Sequence, residues 1–225
     1  MKHTEDGEGQ MLFLGITGGV GAGKSEILHY IGSHYRCRIL EADRIAEDLM
    51  RPGTDCYAAL KPLFYMDQVY QDDGTFDRKA LAAVLFNDPE KKNALEDIVH
   101  PAVRAYVLDA LQTERMRQNK DLLVLEAALL IEAGYDRICD EVWLIDTDEP
   151  IRIRRLMESR GYTEEKARSI IRAQLSREEF LKHCSERIDN SHELGESCER
   201  IDQLLALRGI RKNGVMQHCQ RQQRQ

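Results

Sequence analysis

One stretch near the amino terminus, MLFLGITGGVGAGKSE (Met11 to Glu26), restricts this chain more than any other. A short apolar run, Met11 to Ile16, passes through Thr17 into a turn carrying Gly18, Gly19, Gly21 and Gly23, and Ile27, Leu28 and Ile31 then follow at helical spacing. The order is strand, glycine loop, helix. Gly18 to Ser25 fits the phosphate-binding pattern of Gly, four residues, Gly, Lys, Ser/Thr. Glycines let backbone N–H groups turn toward phosphate oxygens where a Cβ would clash, and the helix N-terminus adds its positive end. On this reading Gly19, Val20, Gly21, Ala22, Gly23, Lys24, Ser25 and Glu26 line a nucleotide-phosphate site. Lys24 would hold the β- and γ-phosphates, and the Ser25 hydroxyl would take one position on Mg²⁺. A dinucleotide fingerprint fails on spacing, because a third glycine is needed where Lys24 stands.

The chain has 225 residues, enough for one α/β domain with insertions or two small domains. Its net charge of −7 argues against wrapping duplex nucleic acid, which favours a basic surface. The sequence has no apolar run long enough to cross a bilayer and no charged-then-apolar leader, so no membrane role is expected and a cytoplasmic location is. Its six cysteines are scattered without zinc spacing and read as reduced, mostly structural thiols.

Taken in order, Met1 to Gln10 reads as a disordered leader. Cys37 to Ala42 reads as a second strand, with Asp43 just beyond its carboxyl end, where open parallel sheets bind ligands. Asp43 could equally cap a helix beginning near Arg44. From Ile45 to about Thr113 the pattern is mostly helical, including a Tyr57 to Phe64 helix, one from Glu90 to Val99, and another opened by His100-Pro101. So much helix between two strands reads as an inserted subdomain suited to a substrate. Leu122 to Leu130 reads as a strand buried on both faces, and its one acid, Glu126, would either orient Mg²⁺ through water or cap the next turn. Val142 to Ile145 is a fourth strand and Arg187 to Asp189 a fifth. Between them, Glu149 to Leu181 carries seven arginines on two expected helices joined at Ser159 to Thr163, with Thr163 as N-cap. Most of these arginines read as a solvated face paired with glutamates, and as a group they suit a lid over a transferring phosphoryl. Leu194 to Leu207 is the last helix, and residues 209–225 read as a polar, disordered tail.

These pieces resemble the dephospho-CoA kinase family from about Leu12 to Leu207. The resemblance rests on GITGGVGAGKS (Gly15 to Ser25), LEADRIAEDLMRPGT (Leu40 to Thr54), DGTFDRKALAAVLFNDP (Asp73 to Pro89), HPAVR (His100 to Arg104), ALLIEAGYD (Ala128 to Asp136), RAQLSREE (Arg172 to Glu179) and IDNS (Ile188 to Ser191). It implies an α/β fold with a P-loop kinase core: a parallel sheet flanked by helices, plus a helical substrate-binding subdomain (about 45–113) and a helical lid (about 149–181), in one domain over 11–208. It also implies transfer of the ATP γ-phosphoryl to the 3′-hydroxyl of the dephospho-CoA ribose with Mg²⁺, and no obligatory protein partner. By analogy, Asp43 accepts the hydroxyl proton, with Lys24 and lid arginines on the phosphates. Thr17, Asp43, His100, Arg104, Leu129, Leu130 and Glu132 face the acceptor, and Asn190 lies near the adenine. The chain departs from the family at Glu26, where Thr is usual, and at Phe64-Tyr65, where Phe-Gly is usual. The lid commonly has two arginines four apart, whereas four beyond Arg155 stands Ser159, leaving Arg155, Arg160 and Arg177 as alternatives for the γ-phosphate. Another P-loop small-molecule kinase with a nucleoside or nucleotide acceptor shares the loop, Asp43 and lid. A nucleotide switch is disfavoured, because Asn119-Lys120-Asp121 lacks guanine-reading spacing.

Overall fold

A computed structural model describes residues 11–213. The leader and most of the polar tail read from the sequence lie outside the described residues. The chain runs β1 (Leu12–Thr17), α1 (Lys24–His34), β2 (Cys37–Glu41), α2 (Ala42–Leu49), α3 (Asp55–Leu60), α4 (Arg78–Asn87) and α5 (Pro89–Arg117). It continues through β3 (Leu122–Glu126), β4 (Glu141–Asp146), α6 (Glu149–Arg160), α7 (Glu164–Arg172), α8 (Arg177–His183), β5 (Glu186–Asp189) and α9 (Leu194–Leu207). It forms two compact units, one built from the chain up to Leu40 and from Glu114 onward, the other from Glu41–Thr113.

The first unit is organised by a five-stranded sheet in the order β2-β3-β1-β4-β5, with β1 parallel to β3 and β4, and β4 parallel to β5. The sheet strands carry the apolar runs that the sequence shows. Leu122, Leu123, Val124 and Leu125 are each fully buried, as expected of a central strand covered on both faces. Leu14 and Ile16 of β1 pack with Ile27, Leu28 and Ile31 of α1, Trp143 and Ile145 of β4, and Ile201, Leu204 and Leu205 of α9. Burial of each such side chain contributes about 1.5–3 kcal/mol, so this cluster sets the level at which β1 and its following loop are held.

In the second unit, α4 is capped by Asp77, whose carboxylate accepts from the Lys79 and Ala80 amides. The expected break at His100-Pro101 is absent: α5 runs unbroken for 29 residues with Pro101 inside it. An interior proline costs about 3 kcal/mol through its missing N–H and ring clash. Val99, Val103, Val107, Ala110 and Leu111 are all at most 7% exposed, and their burial outweighs that cost.

Four other boundaries differ. The β3 strand ends at Glu126 rather than Leu130, because residues 127–134 curl through turns closed by Gly134 N–H to the Ile131 carbonyl (2.9 Å) and Tyr135 N–H to the Leu130 carbonyl (2.9 Å). Leu130 stays buried there without being in a strand. The α2 helix starts at Ala42, so Asp43 lies in its first turn and Glu41 occupies the N-cap. The helix read over Tyr57 to Phe64 divides into α3 and a 3-10 turn, Lys61–Phe64, where Pro62 removes an N–H. The arginine-rich segment has three helices, because Ser176 caps a separate α8 by accepting the Glu179 amide. Thr163 caps α7 as expected, accepting the Lys166 amide.

Among the described residues no helix is long and apolar enough to cross a membrane. The five cysteines within them are free. Burial, reinforced by Asp140 and Asp136, pushes the Cys139 thiol up to about 12, and burial with Asp136 does the same to Cys184. Both therefore stay protonated at pH 8, and iodoacetamide should label them roughly tenfold or more slowly in the native protein than in urea. Peptide mapping checks this. Leu204→Ala, at a site 1% exposed, should cost about 2–5 kcal/mol in urea denaturation followed by the fluorescence of Trp143, the chain's one tryptophan.

Candidate active site

Hydrophobic packing of β1 delivers the glycine loop to the carboxyl edge of the sheet. Gly18 sits at φ +149°, and a Cβ there would lie 2.3 Å from the Ile145 carbonyl oxygen of β4. Gly23 caps α1 at φ +87°, and its Cβ would lie 2.3 Å from Asn190 Nδ2. Only glycine satisfies both conditions at either position. The α1 helix then begins at Lys24, so its first N–H groups, which have no intrahelical partners, face the loop. Lys24 Nζ donates to the Gly18 carbonyl at 2.8 Å and lies 3.5 Å from Glu126 Oε1. Ser25 and Glu26 are exposed in the first turn.

The loop is held from outside through its carbonyls. The Ala22 carbonyl accepts from Thr147 Oγ1 (3.0 Å), Asn190 Nδ2 (2.8 Å) and an Arg155 terminal nitrogen (3.3 Å). Asn190 is 3% exposed, and its Oδ1 accepts the Ser197 hydroxyl at 2.9 Å. Arg155 also donates to the Asn190 carbonyl at 3.0 Å. Arg152 Nε donates to the Val20 carbonyl at 2.9 Å. Gln174 Oε1 accepts both the Val20 amide (2.9 Å) and an Arg152 terminal nitrogen (2.8 Å). Burial lowers the Arg152 pKa below its ordinary value, while Glu149 and Asp146 act in the opposite sense. Below the loop, Ile153, Leu156, Ala167 and Ile171 form a small core with Val20 and Tyr162 against it, fastening α6 and α7 to the loop.

The other expected residues are distributed unevenly. Arg177 pairs with Asp146 at 2.6 Å, while Arg160 is exposed at the end of α6 with no ion pair among the described residues. Arg168 bridges Glu149 (3.0 Å) and Glu164 (2.8 Å), the solvated-face pairing read from the sequence. Thr17 and Leu130 are fully buried, whereas Leu129 is 53% exposed and Glu132 exposed. In the second unit Asp43 is exposed on α2, and on α5 an exposed His100 stands one turn before a half-buried Arg104. His100 is thus neither a cap nor a core residue. Sequence reasoning singled out neither Arg152, Gln174 nor Thr147. The available signal for Thr147 was its place directly after β4, matching that of Asn190 directly after β5.

The oxygen set at the loop fits Mg²⁺ that arrives with a nucleotide. The Thr17 hydroxyl is buried without a hydrogen-bond partner, the Ser25 hydroxyl is exposed, and Glu126 offers a carboxylate beside Lys24. Among the described residues no group of three His, Cys, Asp or Glu could hold a metal ion.

Residues 12–196 match the family described as dephospho-CoA kinase. The chain belongs to the dephospho-CoA kinase family. The dephospho-CoA kinase of Geobacillus kaustophilus is 36% identical over 196 residues, covering 87% of this chain and 94% of that one. That of Chlorobaculum tepidum is 34% identical, covering 86% and 93%. Among solved structures, a Thermus thermophilus protein superposes with TM-score 0.74 at 31% identity, covering 88% and 97%, and the dephospho-CoA kinase from Campylobacter jejuni with TM-score 0.63 at 26%, covering 87% and 97%. The family match runs from β1 past Asn190, so it includes the loop and all the residues that hold its carbonyls. Asn190→Ala removes the Ala22 bond and one of the two acceptors of the Ser197 hydroxyl, which keeps the Asp189 carbonyl at 2.8 Å. It should lower stability by about 1–3 kcal/mol and weaken ATP binding, as read by thermal melting and calorimetry.

Proposed function

We propose that this member of the family transfers the γ-phosphoryl of ATP to the 3′-hydroxyl of the dephospho-CoA ribose, giving coenzyme A and ADP, the last step of coenzyme A synthesis. The observation that carries the reading is a complete phosphate loop, with Lys24 beside both Gly18 and Glu126, in a chain that matches the family over residues 12–196. In the reaction the 3′-oxygen bonds to the γ-phosphorus, the bond to the β–γ bridging oxygen breaks, and the hydroxyl proton goes to Asp43. Asp43 is suited to this because it is an exposed carboxylate two residues beyond β2. A ribose hydroxyl is weakly acidic, so the carboxylate aligns it and takes the proton late, while positioning and charge do most of the catalysis.

Lys24 moves from the Gly18 carbonyl to the β/γ-phosphates, which offer it a stronger, charge-assisted partner. Gly19 to Glu26 and Asn190 hold the nucleotide. Ser25, with Glu126 through water, would hold Mg²⁺, which supplies neutralisation of charge on the β- and γ-oxygens. Arg155, Arg160 and Arg177 are the arginines available to the transferring phosphoryl. Arg155 and Arg177 first have to leave the Asn190 carbonyl and Asp146, whereas Arg160 has no bond to break among the described residues. The Glu41–Thr113 unit, with His100 and Arg104 one turn apart, would receive the acceptor, together with Thr17, Leu129, Leu130 and Glu132. Thr17 and Leu130 are themselves fully buried. A cytoplasmic location belongs to the same reading and is supported by the free thiols among the described residues.

ADP release from ATP and Mg²⁺ should depend on dephospho-CoA and should be absent with adenosine, AMP or pantetheine phosphate. Release with one of these instead would reassign the acceptor. Asp43→Asn should keep ATP affinity and lose about 10²- to 10⁴-fold in kcat, and near-normal turnover would remove Asp43 from the base role. Lys24→Ala should depress transfer by a similar factor, and an active, folded variant would sink the loop mechanism.

A further inference from the structure

Arg152 lies three residues before Arg155 on α6, and its guanidinium rests on the phosphate loop instead of pointing to solvent. It is held at two points: Nε on the Val20 carbonyl (2.9 Å) and a terminal nitrogen on Gln174 Oε1 (2.8 Å). The same Gln174 oxygen accepts the Val20 amide (2.9 Å), so the lid grips the Val20 residue at both its N–H and its carbonyl. A Cβ on Gly19 would lie 2.1 Å from the Arg152 terminal nitrogen, so glycine there is what lets the cation close on the loop backbone.

Both acceptors are neutral, and Arg152 makes no ion pair among the described residues. Burial of the cation is offset only by the Glu149 and Asp146 carboxylates, neither of which forms an ion pair with it, and an anion in direct contact restores the balance. A guanidinium offers five N–H donors, of which these bonds use two, and the rest stand beside a loop built to receive phosphate. The other arginines of the segment are placed differently. Arg168 is committed to Glu149 and Glu164, Arg177 to Asp146, and Arg160 is exposed at the end of α6. Position 159 is seven residues from 152 and so shares its helix face, but Ser159 turns its hydroxyl back to the Arg155 carbonyl at 2.6 Å. Arg155 rests on the Gly21, Ala22 and Asn190 carbonyls, so Arg152 is the cation that this face of α6 presents to Gly19 and Val20.

We propose that Arg152 is a phosphate-binding residue of the nucleotide site, its guanidinium completing the anion cradle beside Gly19 and Val20, and that Gln174 is the positioning residue that aims it. The proposal rests on the phosphate-loop reading above and not on the identity of the acceptor.

Two variants of the full chain test it by calorimetry without acceptor, using ATP directly and adenosine by competition. Arg152→Met should weaken ATP by about tenfold to hundredfold, the worth of a charge-assisted hydrogen bond, and leave adenosine within about twofold. Gln174→Glu keeps an acceptor for both bonds but sets a carboxylate on the guanidinium. It should weaken ATP by about tenfold with an unchanged melting temperature, and in turnover the loss should fall on KM for ATP and not on KM for the acceptor. ATP affinity retained within about twofold in either folded variant overturns the proposal, as does equal weakening of ATP and adenosine, which marks general damage to the loop. If Arg152→Met does not fold, Gln174→Glu decides. Wild-type turnover of dephospho-CoA is a separate reading: its failure would overturn the acceptor assignment and leave the ATP result standing.

Discussion

The structure depends on one carbonyl group. The oxygen of Ala22 is taken by Thr147 from the end of β4, Asn190 from the end of β5 and Arg155 from α6. Three donors on one acceptor fix the orientation of this peptide. Carbonyls turned outward leave neighbouring N–H groups to turn inward, the arrangement an anion requires. Asn190 is fixed in turn by Ser197, so α9 is tied to the loop through two side chains. Loss of the sheet edge would thus be felt at the loop, even though no sheet residue need touch a nucleotide.

The same logic joins the arginine-rich helices to the core. Their apolar face is small, formed by Ile153, Leu156, Ala167 and Ile171, and it packs Val20 of the loop itself. Their polar contacts to the loop are hydrogen bonds to backbone, at Val20, Gly21 and Ala22. Such contacts are individually weak and exchangeable for phosphate oxygens, which bind guanidinium more strongly. On the proposed reading these helices are a lid, held in this way without a nucleotide and able to regroup around one. The net charge of −7 does not conflict with this, since Lys24, Arg152 and Arg155 all lie on the loop.

Much of this was legible in the sequence because it is encoded locally. The glycine spacing, the strand before it and the helix after it each follow from adjacent residues, and they fix Lys24 and Ser25. The β3 strand was read four residues too long, because the apolar run continues to Leu130 through a turn that buries it as thoroughly as a strand would. Pro101 reads as the first turn of a new helix because the burial of Val99, Val103 and Val107, which carries one helix through it, is a tertiary fact. As a cap, Asp43 is two residues off for the opposite reason: helix α2 starts at Ala42 without a side-chain cap to announce it. Arg152 and Gln174 were missed because a segment with many arginines gives no address for any one of them. Their meeting on Val20 spans 154 residues from loop to Gln174.

The most direct test of the central claim is where the transferred phosphoryl ends. Phosphorus NMR of the product formed from ATP and dephospho-CoA should show a new monoester on the ribose 3′-oxygen, formed in equal amount with ADP. A phosphoryl on any other oxygen, or ADP formed with free phosphate and no new ester, would contradict the account.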